Sequence, residues 1–230
     1  MLEVFTIGHS TRTWKVFLEL LRVHGIKRVI DVRNIPRSRH NPQFNRETLS
    51  AKLRSAKIGY VHMRKLGGLR NARRDSPNKG WHNASFRGFA DYMQTPDFEA
   101  RLGRLIKLAK QKKSALMCAE ALPWRCHRSL IADALFVRGI RAEDIMSPTR
   151  RPVHKLTPFA KVRGATITYP AEDSLCAEKK PRAKPSRSHP VEKTIEKQIR
   201  AGACGDSIIG PSQPGNARRR LPRRSRVPQP

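Results

Sequence analysis

The chain has 230 residues, 38% of them hydrophobic, enough for one sizeable core. Its formal charge is +30, and residues 1–170 alone carry 34 Lys and Arg against 12 Asp and Glu. Electrostatics therefore point to a phosphate-bearing partner, either a nucleic acid or a small molecule. No apolar run is long enough for a membrane span, and the opening MLEVFTIGHS lacks the order of a secretory signal, so a cytoplasmic protein is expected. The four cysteines, Cys118, Cys126, Cys176 and Cys204, are few and unevenly placed, which suits reduced thiols better than a disulfide framework.

Strand and helix signals alternate along the chain. VFTI (4–7) is a β-prone run closed by Gly8, and residues 14–25 place Trp14, Phe17, Leu18 and Leu21 at helical spacing before Gly25. RVIDVR (28–33) predicts a second strand. A helix over 46–57, capped by Asn45 and stopped near Gly59, leads to a third strand at 58–63. Residues 64–84 have no periodicity and are rich in Gly, Asn and Arg, which predicts a basic flap. A short helix from Ser85 to Met93 follows, then one from Thr95 and Pro96 to about Lys112, a strand over 114–120, a helix over 125–139 and a weak strand over 141–146. Residues 157–169 suggest a short helix and an edge strand. From 171 onward the composition turns to Pro, Arg and Lys, predicting a disordered basic tail. The fold class expected is α/β, a single compact domain with a mostly parallel sheet flanked by helices, a Rossmann-like three-layer arrangement.

The chemically capable residues fall at the carboxyl ends of the predicted strands. His9 and Ser10 follow the first, Asp31 and Arg33 end the second, and Cys118 and Glu120 end the strand before the segment Cys126, His127, Arg128. In open parallel sheets that edge is where ligands bind. Arg128 at a helix start suits an anion, and Cys126 there is more easily ionised than a free thiol. Arg37 and Ser38 lie in the loop after the second strand.

Sharper motifs are missing: there is no nucleotide-binding glycine fingerprint, Walker loop or G-x-S-x-G pattern. Cys118 and Arg128 are too far apart for the phosphate loop of a cysteine phosphatase. Zinc ligands are available among His9, Cys118, Glu120, Cys126, His127 and His154, but no paired C-x-x-C or H-E-x-x-H spacing supports them, so no metal is assigned. Cys126 and His127, being adjacent on one helix turn, are expected to point apart.

TIGHSTR (6–12), IDVRNIPRSRHNPQF (30–44), the glycine pair after Leu66, ADYMQTPDF (90–98) and above all MCAEALPWRCHR (117–128) resemble the family called domain of unknown function 488, from about Leu2 to about Lys161. His154 resembles that family's late histidine. The resemblance implies a compact α/β domain and a shared site of His9, Ser10, Asp31, Arg33, Pro36, Arg37, Ser38, Cys118, Glu120, Cys126, His127 and Arg128. It implies no activity and no cofactor.

Three functions fit these residues. The first is an enzyme on a phosphate-bearing substrate, with Asp31 or Glu120 as general acid or base, His9 and His127 moving protons, Arg33, Arg37 and Arg128 holding the anion, and Cys126 as nucleophile if the chemistry is covalent. The second is a noncatalytic nucleic-acid binder using flap and tail. The third is a metal or redox site at Cys118 and Cys126.

Overall fold

The computed structural model describes residues 1–171. The expected tail, with Cys176 and Cys204, lies outside the described residues except for Ala171. In chain order the elements are β1 (Glu3–Gly8), α1 (Trp14–Val23), β2 (Arg28–Asp31), α2 (Arg46–Ser55), β3 (Gly59–His62), α3 (Ala84–Tyr92), α4 (Pro96–Gln111), β4 (Ser114–Cys118), α5 (Arg128–Phe136), β5 (Arg141–Ile145), β6 (Lys161–Arg163) and β7 (Thr166–Thr168).

The first five strands form one parallel sheet in the order β3-β2-β4-β1-β5. Alternation decides the two faces. Val4, Ile30, Val32 and Leu116 face a core with Phe89, Phe98, Leu102, Leu105, Leu130 and Ile131 from α3, α4 and α5. Phe5, Ile7, Val29, Ala115 and Met117 face Phe17, Leu20, Leu21, Leu49 and Leu53 from α1 and α2. Strands covered on both sides read as continuous apolar runs, and β4 is buried throughout.

The strand order fixes where a ligand fits. From β1 the chain steps to β2 and β3 with helices on one face, then returns to β4 and β5 with helices on the other. Around β4 the connections therefore leave in opposite directions, and a crevice opens at the carboxyl ends of β1, β4 and β2. The register sets Gly8 beside Cys118, and Asp31 beside Met117 and His62.

Local signals account for most helix ends. Thr13, Asn83 and Thr95 cap α1, α3 and α4 through their side chains, and Pro96 takes the first position of α4. Gly25, at φ +66°, ends α1, with Ile26 N donating to Leu21 O and Gly25 N to Arg22 O. The end of α2 differs from expectation: Lys57, not Gly59, takes the left-handed conformation, at φ +59°. Asn45 precedes α2 as expected, but its side chain makes no capping bond and accepts instead from Ser38 N at 2.7 Å.

Two further expectations are corrected. Residues 157–169 do not extend the main sheet: among the described residues β6 and β7 pair only with each other, antiparallel, across a turn at Gly164. The outer edge of β5 is covered by the segment near Val153, where Asp144 N donates to Pro152 O and His154 N to Ala142 O. Residues 64–84 are irregular but tied down. Buried Asp91 accepts from Arg73 N, Ser76 Oγ and Asn78 Nδ2, while Asn78 Oδ1 accepts from Tyr169 N. Such side-chain bonds replace a backbone ladder and leave no periodicity in the sequence.

Candidate functional site

A cavity of about 460 Å³ occupies the predicted crevice. His9, Ser10 and Thr11 come from the turn after β1, Arg33, Arg37, Ser38 and Asn41 from the loop after β2, and Glu120 and Arg125 from the connection after β4. A second cavity of about 330 Å³ lies alongside, sharing Arg33, Ile35, Glu120 and Arg125, with Cys118, Cys126, His127, Gly68 and Leu69 in its wall.

Gly8 makes this geometry accessible. A Cβ there would sit 1.9 Å from the Glu120 carbonyl oxygen, so only glycine lets the chain leaving β4 cross the end of β1. The next turns are held by His9 N donating to Cys118 O and Ser10 N to Ala119 O. Ser10 itself is at φ +47°, a left-handed conformation costly for a non-glycine residue and found here at the cavity wall.

Asp31 and Arg33 form a buried ion pair. Arg33 Nε donates to Asp31 Oδ1 at 2.9 Å and Nη2 to Oδ2 at 2.6 Å, Arg33 N also reaches Oδ1, and Tyr60 Oη donates to Oδ2 at 2.8 Å. With both oxygens engaged and no exposure, Asp31 is a positioning residue and not an available acid or base. Burial, with Asp31 adding, raises the Tyr60 hydroxyl well above its ordinary range.

His9 has both nitrogens occupied. Its Nδ1 donates to Ser10 O at 2.9 Å, so Nε2 accepts from Arg33 Nη1 at 3.2 Å, and the ring stacks on Phe44 with centroids 4.3 Å apart. Burial above all, with the Arg33 charge adding and the Ser10 bond opposing, lowers its pKa to about 4. It is held neutral and orients Arg33; proton transfer through it is blocked at both nitrogens.

Arg128 is only 1% exposed and does not line the larger of these two cavities. Its Nη2 donates to Glu120 O at 2.8 Å, whereas its Nε and Nη1 have no hydrogen-bond partner of good geometry among the described residues. Arg12 lies near it, donating to the carbonyls of Gly8 and Met146. Around His9, then, several guanidinium groups face one saturated carboxylate. Arg37, Glu120 and Arg125 are exposed at the cavity, and no side-chain hydrogen bond or ion pair occupies them among the described residues.

Cys126 and His127 precede α5 instead of lying inside it. Cys126 is extended (φ −133°, ψ 140°), so no helical turn separates the two side chains, and Cys126 Sγ lies 3.8 Å from His127 Nδ1. The expectation that they point apart is overturned for that reason. Cys118 joins them: the two sulfurs and a ring nitrogen of His127 all lie within 4.8 Å of one another. The Cys118 thiol donates to Cys126, which lowers Cys126 to about 7 against the effect of burial, with Arg128 helping. The same bond, with burial, raises Cys118 to about 12.

His154 is elsewhere. Its Nε2 meets Asp133 Oδ1 at 2.7 Å, and Asp133 also accepts from Thr157 N and Oγ1 and from Tyr169 Oη. This buried knot fastens the segment after β5 to α5 and contributes nothing to the crevice. Sequence reasoning passed over Arg125, Asn41 and Thr11 in the cavity wall; a basic or polar residue beside a strand end was the only signal for them.

The sequence profile of the family described as Domain of unknown function DUF488 matches residues 13–135, just over half of the chain. The chain belongs to the DUF488 family. That span of this DUF488 protein holds Asp31, Arg33, Arg37, Ser38 and the Cys118 to Arg128 segment, while His9, Ser10 and His154 lie outside it. No curated protein and no solved structure matches the chain. Among the described residues no helix is long and apolar enough to cross a membrane.

Proposed function

We propose that this DUF488 domain is an enzyme acting on a phosphate-bearing substrate, a nucleotide or the end of a nucleic-acid strand, bound in the larger cavity. One observation carries the reading: Arg37 and Arg125 face that cavity with no partner among the described residues, in a field already made positive by Arg12 and Arg128. An anion is what such a surface lacks. Ser10 and Ser38 offer hydroxyls to the same ligand, and Glu120 is the one carboxylate free to move a proton. Ile35 and Leu69, 65% and 73% exposed, rim the adjoining cavity and suit a substrate with an apolar portion such as a nucleobase.

The test is calorimetric titration of nucleoside monophosphates and pyrophosphate at low and moderate salt. Each charge-assisted contact is worth about 1.5–3 kcal/mol, so Arg37→Ala and Arg125→Ala should each weaken binding by roughly tenfold or more, with Lys107→Ala on α4 unchanged. Equal binding by all four proteins would overturn the assignment. A second reading, noncatalytic nucleic-acid binding, is favoured by the excess charge of residues 1–170 and by Trp124, 62% exposed beside Arg125. Its mark is affinity that falls steeply with salt and ignores the two pocket substitutions.

A further inference from the structure

We propose that Cys118, Cys126 and His127 form a binding site for a borderline-soft divalent cation such as Zn²⁺, with three protein ligands and the fourth position open to the smaller cavity. The three residues come from the end of β4 and from the entry to α5, and their ligand atoms already converge within 4.8 Å. A tetrahedral zinc site needs sulfur–nitrogen separations of about 3.6 Å and sulfur–sulfur separations of about 3.8 Å. The Cys126–His127 pair stands at 3.8 Å and no separation exceeds 4.8 Å, so a contraction of about 1 Å or less closes the cluster on an ion.

The histidine is set up as a ligand. Its Nε2 lies 3.2 Å from Val32 O, and because a carbonyl can only accept, Nε2 carries the proton. The lone pair is therefore on Nδ1, the atom facing the sulfurs. A ring nitrogen fixed by donation of the other to a carbonyl is the usual outer support of a metal-binding imidazole. Phe89, 5.1 Å away between centroids, packs against the ring and helps hold its plane.

The approach to that nitrogen is open because residue 68 has no side chain. A Cβ on Gly68 would lie 3.0 Å from Nδ1, in the wall of the smaller cavity. Arg128 adds an independent indication. It is buried, its Nε and Nη1 have no hydrogen-bond partner of good geometry among the described residues, and its side chain lies beside Cys126. A metal-bound thiolate sulfur is an acceptor of the kind those N–H groups lack. Two thiolates would also neutralise the dication, leaving the cluster without net charge.

Three ligands with an open fourth position are the pattern of a catalytic zinc and not of a closed structural one. The open side shares Glu120 and Arg125 with the anion cavity, so a metal-bound water would lie beside both the free carboxylate and the bound phosphate. The metal site stands on its own observations, and its test uses no phosphate ligand, so failure of the anion assignment leaves it untouched.

The full chain, untagged, reduced and stripped by chelation, is titrated with Co²⁺. One equivalent should bind with thiolate-to-cobalt charge transfer and tetrahedral ligand-field bands, and Zn²⁺ should displace it. Cys118→Ser and Cys126→Ser should each remove about half of the charge transfer, and His127→Gln should keep it while weakening affinity by about tenfold or more. The Cys176→Ser/Cys204→Ser double variant should match the parent. Absence of charge transfer while the thiols assay as reduced would overturn the site. So would a spectrum indifferent to the three ligand substitutions, or one lost in the tail double variant. Circular dichroism checks each variant, and if a cysteine variant fails to fold, His127→Gln decides: unchanged affinity there overturns the site.

Discussion

Replacing Arg33 by methionine tests whether the buried ion pair is what organises the crevice. Arg33 keeps the Asp31 carboxylate supplied with three of its four hydrogen bonds, and it also donates to Phe44 O at 2.8 Å and to His9 Nε2. Methionine has similar length but no charge, so Asp31, with no exposure, would keep only the Arg33 backbone N–H and the Tyr60 hydroxyl. An uncompensated buried charge of this kind costs about 3–5 kcal/mol. Against a typical domain stability of about 5–15 kcal/mol that is a large fraction, and at roughly 2–4 °C per kcal/mol the thermal midpoint falls by about 6–20 °C. The Asp31→Leu/Arg33→Met pair removes both charges and should cost at least about 2 kcal/mol less than the sum of the single changes. Urea unfolding followed by tryptophan fluorescence and circular dichroism measures all four proteins. A loss below about 1 kcal/mol for Arg33→Met, or strict additivity in the cycle, would refute the reasoning.

Other outcomes follow from the same geometry. His9, held down to about 4 in the folded chain against an ordinary 6.5, contributes stability that is complete above about pH 6.5 and is lost as pH falls toward 4. The loss reaches about 3 kcal/mol, and a pH series of urea midpoints should lose that component in His9→Asn; superimposable curves would contradict it. Gly8→Ala forces a Cβ against the Glu120 carbonyl and should destabilise by about 2 kcal/mol or more, with phosphate affinity falling as the chain leaving β4 shifts; an unchanged melting curve is the opposing result. Asp133→Asn should cost about 3 kcal/mol and speed hydrogen exchange in residues 154–169, which Asp133 ties to α5 through His154, Thr157 and Tyr169; exchange confined to other segments would show that the knot is not the fastening.

The residues read from the sequence as site candidates were found because strand ends are local. VFTI-Gly, RVID and SALMC are short apolar runs closed by polar or glycine residues, and a parallel α/β order sends their carboxyl ends to one edge. The helix start at Thr95 and the stop at Gly25 were legible because a cap is a contact between residues two to four apart. Lys57 and Asn45 show the limit of that signal: the first adopts a glycine-like conformation, and the second spends its side chain on Ser38 across the loop.

What each chemical group does depended on contacts that the linear order does not carry. His9 and Arg33 meet across 24 residues, His127 and Val32 across 95, and Arg128 reaches the Glu120 carbonyl only because Gly8 lets that chain cross the end of β1. Asp31 looked like an acid or base and is a saturated anchor; Cys126 and His127 looked divergent and converge, because the helix expected from residue 125 begins only at Arg128. Composition, alternation and caps thus determined the class of fold, the edge at which the candidate site residues gather and the sign of the chain's charge. Strand register and side-chain burial decided which of those groups remain free to act, because hydrogen-bond saturation is settled by neighbours brought together only in the folded chain.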